Sequence, residues 1–301
     1  MKKLSAAVVG LGNVGSRFDE EPRGVVWSHT GAFVSLSSHF ELVGGADISV
    51  ENRSRFAERV PSVPVFDSAT ALMEICRPEV VSICTPPHGR SELVSELLGL
   101  HKPKAIICEK PMGLSAKERI KLFEVCAAAD VLLAVNYNRR YDARYRQVRY
   151  AVEQGQIGDL ISVTVTTPNR LWSIGSHAVN LMCYIVNDTV EEWAAIPLPG
   201  LFEDGEPAAD VLVRFSGGVA GRLNTAGRRR ELIFELEVIG TDGRIRCGDH
   251  HLDITIQSFE ESSHFEGYRT LRPCEVLAAP VPVESTFLNI ALEIHSAISN
   301  G

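Results

Sequence analysis

The stretch "VVGLGNVG", residues 8 to 15, constrains this chain most, because an apolar run breaks there into Gly10, Gly12 and Gly15. Each glycine at that spacing has a distinct physical use. The first permits a tight turn, the second lets a ligand approach the backbone, and the third lets the following helix close on the strand. The N–H groups of that helix then face an anion, with Asn13 and Val14 inside the turn. Glycine turns are common, so the motif alone is weak and depends on its surroundings.

Those surroundings repeat. Apolar strand-like runs at 6–10, 40–47, 63–66, 80–86, 105–111 and 131–137 are separated by segments with helical spacing, such as "SAKERIKLFEVCAAA" at 115–129. Runs that are apolar along their whole length belong to strands covered on both faces, as in a parallel sheet. The first half is therefore expected to be a doubly wound α/β domain spanning 1–137, with the glycine turn at its first strand. A dinucleotide fits that turn. The acid that should end the next strand is Asp47, 32 residues beyond Gly15 where about 20 is usual. "SRFDEEPRGVVWSHT", 16–30, is read as a lengthened loop or helix start. Either Asp47 binds the ribose hydroxyls and repels a 2′-phosphate, favouring NAD over NADP, or it is a turn residue.

From 138 to 301 the texture changes. After a linking helix around "RRYDARYRQVRYAVEQG", the runs at 160–167, 208–215, 219–225, 231–240 and 251–257 alternate apolar and polar residues. This predicts an α+β domain with an open, mostly antiparallel sheet, one face buried and one wet or covered by a subunit.

Composition excludes several classes. A net charge of −8 argues against a nucleic-acid surface, which needs a basic face. No stretch approaches the roughly 20 apolar residues that cross a membrane. The seven cysteines are dispersed and show neither CxxC nor zinc-like spacing, so no metal is expected and a reducing, cytoplasmic compartment is.

"AIICEKPMGLS", 105–115, ends the fifth apolar run with Glu109, Lys110 and Pro111. Either this is a solvated turn, or the lysine stands at a strand end where parallel sheets bind ligands. Taken with "GLGNVG", "FELVGGAD", "VVSICTPPHGRSELV", "VNYNRRYDARY", "GQIGDLISV" and "GSHAVNLM", it makes the chain resemble the glucose-fructose oxidoreductase/inositol dehydrogenase (Gfo/Idh/MocA) family.

The resemblance implies a Rossmann domain, a substrate domain whose open sheet forms a homodimer or homotetramer, and NAD(P)-dependent redox chemistry on a sugar, sugar nucleotide or cyclitol. It implies that Lys110 meets substrate at the nicotinamide end after a cis Lys110–Pro111 bond, with Glu109 holding backbone or polar groups there and counted among the cofactor contacts. Thr85 and Pro86 of "CTPP" are expected beside the cofactor, and Asn136 and Arg139 are expected to line the substrate pocket. The family's second-domain motif corresponds to Ser173, Gly175, His177 and Asn180, so the histidine is kept and both acids are replaced. Ser173, His177 and Asn180 are expected at the substrate.

Oxidation of a secondary alcohol needs a base, and an imidazole titrating near about 6.5 suits it. His177 is thus the expected base and Lys110 the polariser or relay. Alternatively His177 is a core or capping histidine of its helix and Asn180 is surface. The replaced acids leave open a non-catalytic NAD-binding sensor, and imine or enone reduction would use similar geometry. The family also carries a further turn and helix beyond "ESTFLNIALEIHSAISNG", so a truncated chain or a lost closing helix is expected.

Overall fold

The computed structural model describes residues 2–21, 24–168, 170–201, 205–226, 231, 233–248, 254–272, 275–276 and 285–300. They form two units, Met1–Asn138 with Ser285–Gly301, and Arg139–Glu284.

The first unit holds β1 (Leu4–Val9), β2 (Phe40–Ala46), β3 (Val65–Phe66), β4 (Val80–Ile83), β5 (Ala105–Cys108) and β6 (Leu132–Val135). They make a six-stranded parallel sheet in the order β3-β2-β1-β4-β5-β6. Every residue of β4 and β5 is buried, as the continuous apolar runs require when helices cover both faces. The helices are α1 (His29–Ser35), α2 (Val50–Arg59), α3 (Ala69–Cys76), α4 (Arg90–Leu100) and α5 (Ala116–Ala128). Ser28, Ser49, Ser68 and Ser115 cap α1, α2, α3 and α5, each accepting a hydrogen bond from a first-turn N–H. The strand order reverses between β1 and β4, which is where such sheets open a ligand crevice.

The second unit begins with α6 (Ala143–Glu153), β7 (Leu160–Thr167) and α7 (Ser176–Val186). Eight further strands follow: β8 (Val190–Pro197), β9 (Ala209–Phe215), β10 (Ala220–Thr225), β11 (Glu235–Gly240), β12 (Gly243–Cys247), β13 (Ile254–Glu261), β14 (Arg269–Leu271) and β15 (Glu275–Val276). The sheet runs β14-β13-β12-β11-β7-β10-β9-β8, with β15 on β13, and only β7 and β10 pair in parallel. Tyr145 and Val148 of α6 and Leu181, Met182 and Ile185 of α7 pack on Val163, Val165, Phe215, Leu236 and Val238 of the sheet. The alternate residues of the central strands face away and line a shallow trough that includes Glu235, Glu237, Arg244 and Arg246.

One division differs from the sequence expectation. The last helix, α8 (Thr286–Asn300), packs on α1 and belongs with the first unit, although the sequence assigned everything after 137 to the second domain. Its apolar face, Phe287, Ile290, Ala291 and Ile294, is the reason, because it is buried there. The expectation at 251–253 lies outside the described residues.

Candidate functional site

A cleft of about 700 Å³ opens at the ends of β1, β2 and β4, lined by Gly10, Gly12, Asp47, Asn52, Thr85 and Pro86 among others. Gly10 has φ +92°, and a Cβ there would come within 2.8 Å of Cys84 and Thr85 backbone. A Cβ on Gly15 would fall 1.9 Å from the Gly10 carbonyl oxygen, so β1 and the turn can close only around glycine. Gly12 differs: a Cβ there would meet nothing within 4 Å, because that position faces the open cleft.

The helix expected straight after the turn is interrupted. Ser16 N–H and Arg17 N–H donate to the Gly12 carbonyl, and α1 itself starts only at His29. Across the gap, His29 N–H donates to Val14 O (3.0 Å) and Thr30 N–H to Gly15 O (2.9 Å), so α1 continues the first turn. The intervening segment is tied back by Asp19, which accepts from Trp27 N–H (2.7 Å) and Ser28 Oγ (2.5 Å). Thirteen inserted residues, 16–28, thus account for the long separation between Gly15 and Asp47.

Asp47 nevertheless ends beside the turn. Its carboxylate accepts hydrogen bonds from Leu11 N–H (2.7 Å), Ser49 N–H (2.8 Å) and Asn52 Nδ2 (3.0 Å). Thr85 Oγ1 lies buried with no hydrogen-bond partner among the described residues. An open glycine, a carboxylate at the rim and an orphaned hydroxyl fit a dinucleotide.

The neighbouring strand end carries Glu109, Lys110 and Pro111, and the Lys110–Pro111 bond is cis. Arg90, only 2% exposed, clamps this segment by donating to the carbonyls of Thr85, Glu109 and Pro111, the last at 2.6 Å. Beneath it the Glu109 carboxylate, 6% exposed, accepts from Asn136 Nδ2 (2.6 Å) and lies 3.0 Å from His29 Nε2, while Ser82 Oγ lies 3.0 Å from His29 Nδ1. Burial pushes the Glu109 carboxyl up, but His29, Asn136 and the Lys110 charge outweigh it and hold it below the usual carboxylate range.

In the second unit, Leu171–Gly175 forms a π-helical turn that feeds α7. Ser173 donates to Glu206 Oε2 from its N–H (3.0 Å) and its hydroxyl (2.8 Å), and Arg170 pairs with the same carboxylate at 3.3 Å. His177 is buried in the first turn of α7, and half-buried Asn180 follows one turn later.

Residues 4–137 match the oxidoreductase family Gfo/Idh/MocA, described as having an NAD-binding Rossmann fold. Myo-inositol 2-dehydrogenase from Thermotoga maritima is 24% identical over 80% of this chain and 74% of its own length. Residues 4–137 are thus similar to the NAD-binding domain of that oxidoreductase family. Two solved structures share the chain's fold. The WlbA dehydrogenase of Bordetella pertussis, in complex with NADH and UDP-GlcNAcA, gives TM-score 0.70 at 20% identity over 82% of this chain and 78% of that one. A super-repressor mutant of Gal80p from Saccharomyces cerevisiae gives 0.78 at 14% identity over 99% and 86%.

As an NAD(P)-dependent oxidoreductase, the chain departs from its sequence-based site in two places. Glu109 is not a wall of the cleft, because its carboxylate turns inward to His29 and Asn136. Asn136, expected at the substrate, is 2% exposed and gives its amide N–H to Glu109. Half-buried Arg139, also expected at the substrate, holds its guanidinium 3.6 Å from the Phe234 ring centroid, a contact compatible with that expectation. Sequence reasoning missed His29, Arg90 and Glu206. His29 sat inside what read as a lengthened loop or helix start, Arg90 lay within "VVSICTPPHGRSELV" with no role of its own, and Glu206 arrives from outside any motif. No helix among the described residues is long and apolar enough to cross a membrane.

Proposed function

We propose that this chain oxidises or reduces a secondary alcohol or ketone carbon of a sugar, sugar nucleotide or cyclitol, with NAD preferred over NADP. The observation that carries this is the cleft at the β1/β4 reversal, with Asp47 at its rim and Lys110 on the adjoining strand end. Gly12 would admit the pyrophosphate, Asp47 would take the ribose hydroxyls, and Thr85 Oγ1 would find its partner on the ligand. Bound nicotinamide would supply the two-electron acceptor or donor.

The protein's own groups would manage the proton and the charge. His177 takes the hydroxyl proton as carbonyl character develops, and returns it in the reverse direction. The Lys110 ammonium stabilises negative charge on the substrate oxygen. Asn180 binds a hydroxyl and cannot take a proton, whereas Glu206, through Ser173, keeps a carboxylate on the turn that leads to His177. The exposed trough of the second sheet would serve as the contact in a homo-oligomer, and the free thiols suit the cytoplasm.

The replacement of two acids by Ser173 and Asn180, with the Gal80p fold likeness, favours a second reading as a non-catalytic NAD-binding sensor. Turnover separates the two. Nicotinamide reduction is followed with a panel of cyclitols, free sugars and nucleotide sugars. Turnover of any member supports the enzyme, and tight NADH binding without turnover of any member supports the sensor.

A further inference from the structure

His29 is 2% exposed, and both ring nitrogens have polar neighbours, Ser82 Oγ and Glu109 Oε1, each at 3.0 Å. A carboxylate can only accept, and a serine hydroxyl can donate. The arrangement that satisfies all three groups has Ser82 donating to Nδ1 and Nε2–H donating to Glu109. The imidazole packs T-shaped on Phe287 of α8, with ring centroids 5.1 Å apart. Asn136 adds a second donor to the same carboxylate oxygen. Arg90 holds the Glu109 carbonyl. Glu109 is therefore fixed at both backbone and side chain, and Lys110 is the next residue.

We propose that His29 is a positioning residue for Lys110: its Nε2–H keeps buried Glu109 ionised, and that anion keeps the neighbouring lysine charged. This rests on the reading of Lys110 as the group that meets substrate. Among the described residues, the other charged or titratable groups around Glu109 are Arg90 from α4, Cys84 after β4 and Cys108 on β5. Burial pushes both thiols up, Cys108 to about 11, so neither competes as an anion near neutral pH. His29 reaches Glu109 only because α1 restarts after the 16–28 insertion and docks on Val14 and Gly15.

Removing the donor has a signed consequence. Without Nε2–H, burial raises the Glu109 carboxyl towards neutrality, and once it is protonated Lys110 loses its anion and releases its proton more easily. The test compares wild type with His29→Phe, which fills the space without a donor, and His29→Gln, which can still donate but cannot titrate. Lys110 is titrated in the cofactor-free protein by NMR of labelled lysine, and NADH affinity is measured by fluorescence. The Phe variant should lower the Lys110 pKa by about one unit or more. The Gln variant should lie within half of that shift of wild type, and NADH affinity should stay within about threefold in both. An unchanged Lys110 titration in the Phe variant overturns the proposal.

If the Phe variant does not fold, 15N-histidine NMR of wild type decides. An Nε2–H tautomer persisting across neutral pH supports the proposal, and an Nδ1–H tautomer or a free-imidazole titration overturns it. Full activity of Lys110→Ala would instead sink the underlying role of Lys110, leaving the measured His29–Lys110 coupling intact.

Discussion

The Asp47 carboxylate accepts a 2.7 Å hydrogen bond from the backbone N–H of Leu11, inside the glycine turn. The residue proposed to select the cofactor therefore also fixes the loop that would cradle its phosphates. Asp47→Ala should weaken NADH binding at least tenfold, about the worth of one charge-assisted hydrogen bond, and reduce discrimination against NADPH. Fluorescence titration with both cofactors checks this. An unchanged preference would contradict the assignment.

Gly12 and Gly15 make a paired prediction. A Cβ at Gly15 collides with backbone at 1.9 Å, so Gly15→Ala should fail to fold or lose several kcal/mol. Gly12→Ala meets nothing within 4 Å and should melt within a few degrees of wild type while binding NADH at least tenfold more weakly. Equal NADH affinity in Gly12→Ala would mean that the pyrophosphate lies elsewhere.

Glu109 predicts a pH dependence. Its folded pKa is lowered, so its contribution to stability is fully present above the unfolded value of about 4.3 and fades as pH falls through the folded value. The stability gap between wild type and Glu109→Gln, measured by urea unfolding, should be widest near pH 7 and shrink below about pH 4. A gap that stays constant with pH would show that shape and not charge is what the site uses.

Glu206→Ala should release Ser173 and loosen the π turn feeding α7. Turnover should fall about tenfold or more through kcat. NADH affinity should be unchanged, because the cleft belongs to the other unit. Parallel losses in both would remove Glu206 from the substrate side.

The fold was legible where burial wrote a period. Strands β1, β4 and β5 were apparent because they are buried along nearly their whole length, and β7, β9 and β10 because only one face is. Strand β8 was missed for the opposite reason: all but its first residue are exposed, including Trp193 and Ile196, so no alternation marks it. The glycines, Asp47 and Lys110 could be found because spacing and strand ends report them. Glu109 could be named but not oriented, since its partners His29 and Asn136 lie 80 and 27 residues away. The clamp of Arg90 on three carbonyls has no trace in local sequence.

The most direct test is Lys110→Ala, assayed for kcat on the substrate identified by the panel and, separately, for NADH affinity. In this variant kcat should fall by about 10² or more while affinity stays within about threefold. Wild-type kcat in Lys110→Ala would contradict the role proposed for Lys110.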